Sequence, residues 1–176
     1  MKATGVVRRI DDLGRIVIPK EIRRSLRIRE GDSLEIYADG TDSIILKKYS
    51  PVESVNTFVT QLVDAIHTSS KKEVIVTDNE KVIAAAGGFR KDIIGKKIDL
   101  RLDEKIQRRT TQLFARNDNL EVTENLIIKS AAVLKPIVVY GDVIGSVIVV
   151  GEDEIADIEK VMADSAATFI SKYLEA

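Results

Sequence analysis

At 176 residues the chain is long enough for one ordinary domain or two small ones, and with 44% hydrophobic and 31% charged residues it has the make-up of a folded protein, not a disordered one. The absence of cysteine excludes a disulfide framework, a thiolate metal site and a thioether-linked chromophore, and a single histidine, His67, leaves little from which to build a catalytic or metal centre. The net charge of −1 hides an asymmetry: residues 1–29 carry nine Lys and Arg against three Asp and Glu, an excess of six positive charges, so the remainder carries an excess of seven negative ones. Such a split points to one segment made for a polyanion and a remainder that is not.

The N-terminus MKATGVVRRI is basic with no apolar run behind it, so no secretory leader is expected, and no apolar stretch approaches the roughly 18 residues needed to span a membrane. Thr4 to Ile10 alternates as a strand, with Arg8 and Arg9 on opposite faces. The stretch that follows, DDLGRIVIPKEIRRSL from Asp11 to Leu26, sets a tight turn, a short apolar strand and a basic helix end to end. Gly14 can take the positive φ of the turn, and Asp11 and Asp12 can cap it. Ile16, Val17 and Ile18 favour extended backbone, and Pro19 stops the strand and suits the first position of a helix predicted over Lys20 to Ile28. Ile22 and Leu26 make one narrow apolar stripe on that helix, while Lys20, Arg23, Arg24 and Arg27 meet a single acid, Glu21, which favours a phosphate-binding surface over an ordinary solvated face. Gly31 is placed to end the helix in the left-handed conformation. Ser33 to Ala38 and Ser43 to Tyr49 then read as a hairpin around Asp39-Gly40-Thr41-Asp42. Fifty residues with one small apolar face are marginal as a monomer, so two copies are expected to share a core.

Gly5-Val6-Val7-Arg8-Arg9, then Gly14-Arg15-Ile16-Val17-Ile18-Pro19-Lys20-Glu21-Ile22-Arg23-Arg24, then Gly31-Asp32-Ser33-Leu34-Glu35-Ile36 resemble the AbrB-type swapped-hairpin DNA-binding domain. The resemblance implies a β-barrel made by two interwoven chains, binding double-stranded DNA through Arg8, Arg15, Arg23 and Arg24, with Lys2, Arg9 and Arg27 as auxiliaries. Swapped-hairpin dimers of this sort also occur in antitoxins that bind a partner protein, which is the alternative reading.

Ser50-Pro51-Val52-Glu53 is a helix start and marks a domain boundary. Val52, Val55, Val59, Leu62 and Ile66 then recur as a heptad-like seam, suited either to a partner helix or to the domain's own sheet. Strands are predicted at Glu73 to Asp78 and Lys81 to Ala86, a helix over Leu102 to Arg116, and further strands at Leu126 to Ile128, Ala131 to Tyr140 and Val143 to Val150. Pro136 belongs at an edge or a bulge. A last helix runs from an Asp153 cap to Tyr173. This order resembles a GAF-type sensor domain. The expected fold is therefore α+β: residues 1–50 as the AbrB-like DNA-binding unit, 51–70 as a connecting helix, and 71–176 as a GAF-like domain with flanking helices. The whole layout resembles regulators of late spore development. It implies a cytoplasmic, nucleoid-associated transcription regulator without enzymatic activity, cofactor or metal. That regulator is a dimer through residues 1–50 and a tetramer through helices 51–68 and 154–174, and it leaves room for a small-molecule effector.

Overall fold

Pro19 fixes where the first helix begins. In the computed structural model, which describes residues 5–40, 42–88 and 90–176, it occupies the N-cap of α1 (Lys20–Ser25) with φ −57° and ψ 147°. The helix is shorter than its apolar stripe predicts. Its end is set by Arg27 at φ 53° and not by Gly31, whose φ of 87° belongs to the following turn. Ile28 N–H bonds the Arg23 carbonyl at 2.7 Å and Arg27 N–H the Arg24 carbonyl at 3.2 Å, the paired closure of a Schellman cap. Lys48 donates to the Arg27 carbonyl at 3.0 Å and pairs with Asp32 at 3.3 Å, tying the helix end to the strands beyond.

Those strands, β1 (Leu34–Ala38) and β2 (Ile44–Lys48), form a two-stranded antiparallel sheet with Ile36 opposite Leu46. The strands expected over Thr4 to Ile10 and Ile16 to Ile18 do not form: none is present among the described residues 5–19. The bond from Asp11 N–H to the Arg15 carbonyl closes the turn between the two stretches, and no ladder continues from it among the described residues. Val7, Ile10, Leu13, Ile16, Val17, Ile36 and Ile44 are all exposed. Pro19 is the only buried residue among those described up to Tyr49.

The chain divides into two compact units, Met1–Tyr49 and Ser50–Ala176. In the second, α2 (Pro51–Ser54) and α3 (Asn56–Ser70) are separate, broken at Val55, where the seam predicts one helix. Ser50 caps α2 by accepting from Glu53 N–H at 3.1 Å and donates to the buried Asp78 at 2.7 Å. There follow β3 (Glu73–Asp78), β4 (Val82–Ala86), α4 (Arg90–Ile93), α5 (Leu100–Ile106), β5 (Gln112–Phe114), β6 (Leu120–Thr123), β7 (Leu126–Ile128), β8 (Ala132–Val139), β9 (Asp142–Val150) and α6 (Asp157–Glu175). The five-stranded sheet runs β4-β3-β9-β8-β5, all neighbours antiparallel, and β6 and β7 make a separate hairpin.

Both faces of the sheet are covered. Val74, Val76, Val147 and Val149 pack against Val59 and Val63 of α3 and Ala163 and Ile170 of α6, while Ile75, Leu134 and Ile148 pack against Leu102 and Ile106 of α5 and Leu120 of β6. Cover on both sides is why β3 and β9 read as continuous apolar runs. Thr77 and Ser146, buried on adjacent strands, satisfy each other at 2.8 Å.

Two helices depart from their apolar spacing. The helix predicted over Leu102 to Arg116 stops at Ile106, because Arg109 turns left-handed (φ 60°) and Gln112 to Phe114 become the edge strand β5. The last helix begins at Asp157, after an N-cap at Ala156. Asp153 serves as the ion-pair partner of Arg116 instead of a cap. The buried Glu159 accepts from Ala156 N–H at 2.9 Å and from Lys72 at 3.0 Å, fastening the start of α6 to the start of β3. Burial alone would push the Glu159 carboxyl up, but the Lys72 ammonium and the backbone donors outweigh it, and the carboxyl lies below its ordinary value.

Candidate nucleic-acid interface

The basic surface starts from one turn. Asp11 Oδ1 accepts from the backbone N–H of Leu13 at 3.0 Å and of Arg15 at 2.8 Å. Gly14 N–H bonds the Asp11 carbonyl, and Asp11 N–H bonds the Arg15 carbonyl, each at 3.1 Å. With Gly14 at φ 76°, this is a three-residue hairpin loop whose last residue must be left-handed. A Cβ there would meet nothing within 4 Å, so glycine is required by the backbone angle and not by crowding. Of the two acids expected to cap the turn, Asp11 does so.

Arg15 leaves the turn pointing into solvent, with its side chain 72% exposed, and its Nε donates to Asp11 Oδ2 at 2.7 Å. The backbone N–H and the guanidinium of Arg15 together hold the Asp11 carboxyl below the ordinary carboxylate range. This partnership is the feature of the site that reading the sequence misses: Asp11 positions the candidate arginine as well as the turn. The four-residue spacing of Asp11 and Arg15 carries no such signal outside a helix, and only the folded turn brings the two together.

Arg8 and Arg9 lie exposed on the arm entering the turn, and Arg23 and Arg24 lie exposed on α1, contributing no buried surface. None of these four makes an ion pair among the described residues. Arg8 reaches only the neighbouring Val7 carbonyl, at 3.5 Å. Arg27 is half-buried at the left-handed helix end, where its backbone closes the cap. Lys2 lies outside the described residues. Within one chain, the turn and α1 thus hold the candidate cations outward. No cluster of His, Asp or Glu fit to hold a metal occurs among the described residues.

Compared with known proteins, residues 54–175 match the family model described as stage V sporulation protein T C-terminal, transcription factor. Residues 7–54 match the model described as antidote-toxin recognition MazE, bacterial antitoxin. Over 177 aligned residues the chain is 40% identical to stage V sporulation protein T of Bacillus subtilis, covering 99% of both. The chain belongs to the stage V sporulation protein T family.

Its N-terminal unit is the more sharply matched part of this family member. It is 63% identical over 51 residues to the transition state regulatory protein AbrB of Bacillus subtilis, covering 29% of this chain and 52% of that protein. The fold is AbrB-like in the N-terminal unit and GAF-like, α+β, in the C-terminal one. The C-terminal unit shares its fold with the type II free methionine-R-sulfoxide reductase of Thermoplasma acidophilum, at 12% identity and a TM-score of 0.56, over 71% of this chain and 95% of that one. In this member of the stage V sporulation protein T family the basic excess therefore sits in the AbrB-like part. Among the described residues no helix is long and apolar enough to cross a membrane.

Proposed function

We propose that the protein is a DNA-binding regulator of sporulation genes in which residues 1–50 of two chains interweave and present Arg8, Arg15, Arg23 and Arg24 to a duplex, with Lys2, Arg9 and Arg27 as auxiliaries. The observation that carries this reading is the exposed arginine set, with Arg8, Arg9, Arg23 and Arg24 left without a carboxylate among the described residues, on a unit where many apolar side chains stay exposed in the single chain. Arginine suits the task because its planar guanidinium forks onto phosphate or guanine edges. If a dimer meets roughly four to eight phosphates, the logarithm of the DNA affinity falls against the logarithm of salt with a slope on the order of −4 to −7. A salt titration by fluorescence anisotropy reads this, and a slope near zero defeats the electrostatic account. In keeping with a regulator, we read the chain as cytoplasmic, associated with the nucleoid and non-enzymatic. The antitoxin description covers residues 7–54 alone, whereas the sporulation relative matches the full length.

The second unit supports assembly beyond the dimer. Its own sheet takes up Val52, Val59 and Val63, so the apolar seam of residues 51–68 is mostly spent internally. What remains outward lies chiefly on α6: Ile158, Val161, Phe169 and Tyr173 are each about half exposed. Phe58 of α3 stacks on Tyr173 at 4.2 Å and tilts against Phe169 at 5.4 Å. We assign this face to pairing of dimers into a tetramer, which raises effective concentration on DNA. Phe169→Glu is expected to halve the sedimenting mass from four protomers to two without changing the circular dichroism spectrum. An unchanged mass refutes the assignment.

A further inference from the structure

Pro136 lies within β8, opposite Ser146 of β9, where the strand's outer edge has no neighbour. β5 pairs with β8 only over Ala132 to Leu134, so beyond Leu134 the side of β8 away from β9 is bare, and a proline there has no ladder bond to lose. The space left by the short β5 is a groove of about 340 Å³ between the β8 edge, the α5–β5 connection and the last turns of α6. That volume lies in the range of small-molecule sites. Pro136 and Val138 give it an apolar wall, and Arg109, Lys172 and Thr168 bring cations and a hydroxyl to it.

Charge distinguishes this groove from an ordinary crevice. Lys135, which also lines it, is neutralised by Asp164 at 2.6 Å. Arg109 and Lys172 make no ion pair among the described residues: one Arg109 nitrogen donates to the Gly141 carbonyl at 2.7 Å, and the rest of the guanidinium is uncommitted. Glu175, the acid among the lining residues, is engaged by Tyr140, whose N–H reaches its carboxylate at 3.3 Å and whose hydroxyl donates to its carbonyl at 2.9 Å. Two cations outside any ion pair thus face one groove against a single lining carboxylate, Glu175, which Tyr140 holds at the rim.

The rim is also held in place against local preference. Tyr140 (φ 48°) takes its left-handed angle from the two-residue β8–β9 turn it shares with Gly141, whereas Arg109 (φ 60°) is left-handed outside any such turn, a conformation that persists only where surrounding contacts over-determine it. The Arg109 to Gly141 and Tyr140 to Glu175 bonds pin the α5–β5 connection and the end of α6 to the β8–β9 turn. A site fixed before its ligand arrives loses less on binding.

We propose that this groove is an effector site for a small organic anion, its carboxylate or phosphate taken between Arg109 and Lys172 and its apolar part laid on Pro136 and Val138. The site is built wholly from residues of the second unit and does not depend on the DNA-binding reading.

Calorimetric titration of the full-length protein with sodium phosphate and, separately, with sodium citrate tests it, with chloride at matched ionic strength as reference. Because free phosphate also meets the N-terminal arginines, the decisive comparison is among variants. Binding of at least one anion below about 1 mM is expected. Arg109→Asn, which tolerates the left-handed backbone, and Lys172→Gln each weaken it about tenfold or more, while Arg15→Ala leaves it unchanged. Preference for phosphate or for citrate identifies the head group. Lys172 is exposed and makes no ion pair among the described residues, so Lys172→Gln keeps the wild-type melting temperature and DNA affinity, which separates failure here from failure of the DNA-binding reading, whereas Arg109→Asn also gives up the bond to the Gly141 carbonyl and is read alongside it. No heat above the chloride reference from either anion, or equal affinity in the wild type and both groove variants, overturns the proposal.

Discussion

Replacing Arg15 and Arg23 together by alanine is expected to lower the affinity for duplex DNA by roughly a thousandfold at fixed salt, with the oligomer and its circular dichroism spectrum unchanged. The magnitude follows from four lost contacts in a dimer, each worth about 1 kcal/mol at the low end for an arginine on a base edge, and about 4 kcal/mol corresponds to roughly three orders of magnitude. The fold should survive because neither side chain is buried. Arg15 is 72% exposed, and its tie to Asp11 is a surface pair of little worth to stability. Anisotropy at constant salt gives the affinity and sedimentation the assembly. Loss of the assembled protein in this variant would make the two arginines structural and remove them from the interface.

Ile36→Asp should have a still larger effect, abolishing DNA binding by dissolving the unit that carries it. Ile36 stands opposite Leu46, with Ala38 opposite Ile44 on the same face of the β1–β2 hairpin. In the single chain Ile36 is 72% and Ile44 71% exposed. An apolar sheet face left bare on a unit with one buried residue among those described is the face that the proposed dimer would cover. Burial of each Ile36 contributes about 1.5–3 kcal/mol, counted twice in a dimer, and a carboxylate in its place adds its own desolvation cost. That sum rivals the whole stability available to so small a unit. Thermal melts followed by circular dichroism should lose the N-terminal contribution while the transition of the second unit remains. Wild-type DNA affinity in Ile36→Asp would show that this face is not the shared core.

What could be read from the sequence is what local chemistry dictates. The turn at Asp11 to Gly14 and the start of α1 at Pro19 follow from residues within four positions of each other. The strand at Glu73 to Asp78 matches its prediction residue for residue. Where a helix ends proved harder. Arg27 and Arg109 adopt left-handed angles that arginine seldom takes, and nothing in their identity announces it; tertiary bonds from Lys48 and to Gly141 accompany the two turns. The apolar spacing through Leu102, Ile106 and Leu113 could not reveal that Arg109 lies between a helix and an edge strand. In the N-terminal unit the strands at Thr4 to Ile10 and Ile16 to Ile18 are legible as patterns, yet no ladder forms beyond the turn that joins them among the described residues. The candidate arginines are legible by type and motif. The grip of Asp11 on Arg15 is not, because it depends on the turn bringing a carboxylate and a guanidinium to 2.7 Å.

That grip bears on how readily Arg15 changes partner. A guanidinium already leaning on a carboxylate gives up less freedom when it changes partner than one that sweeps through solvent. In the proposed interface Asp11 thus works as a placeholder, keeping Arg15 oriented at the turn while the weak surface pair is readily exchanged for a phosphate.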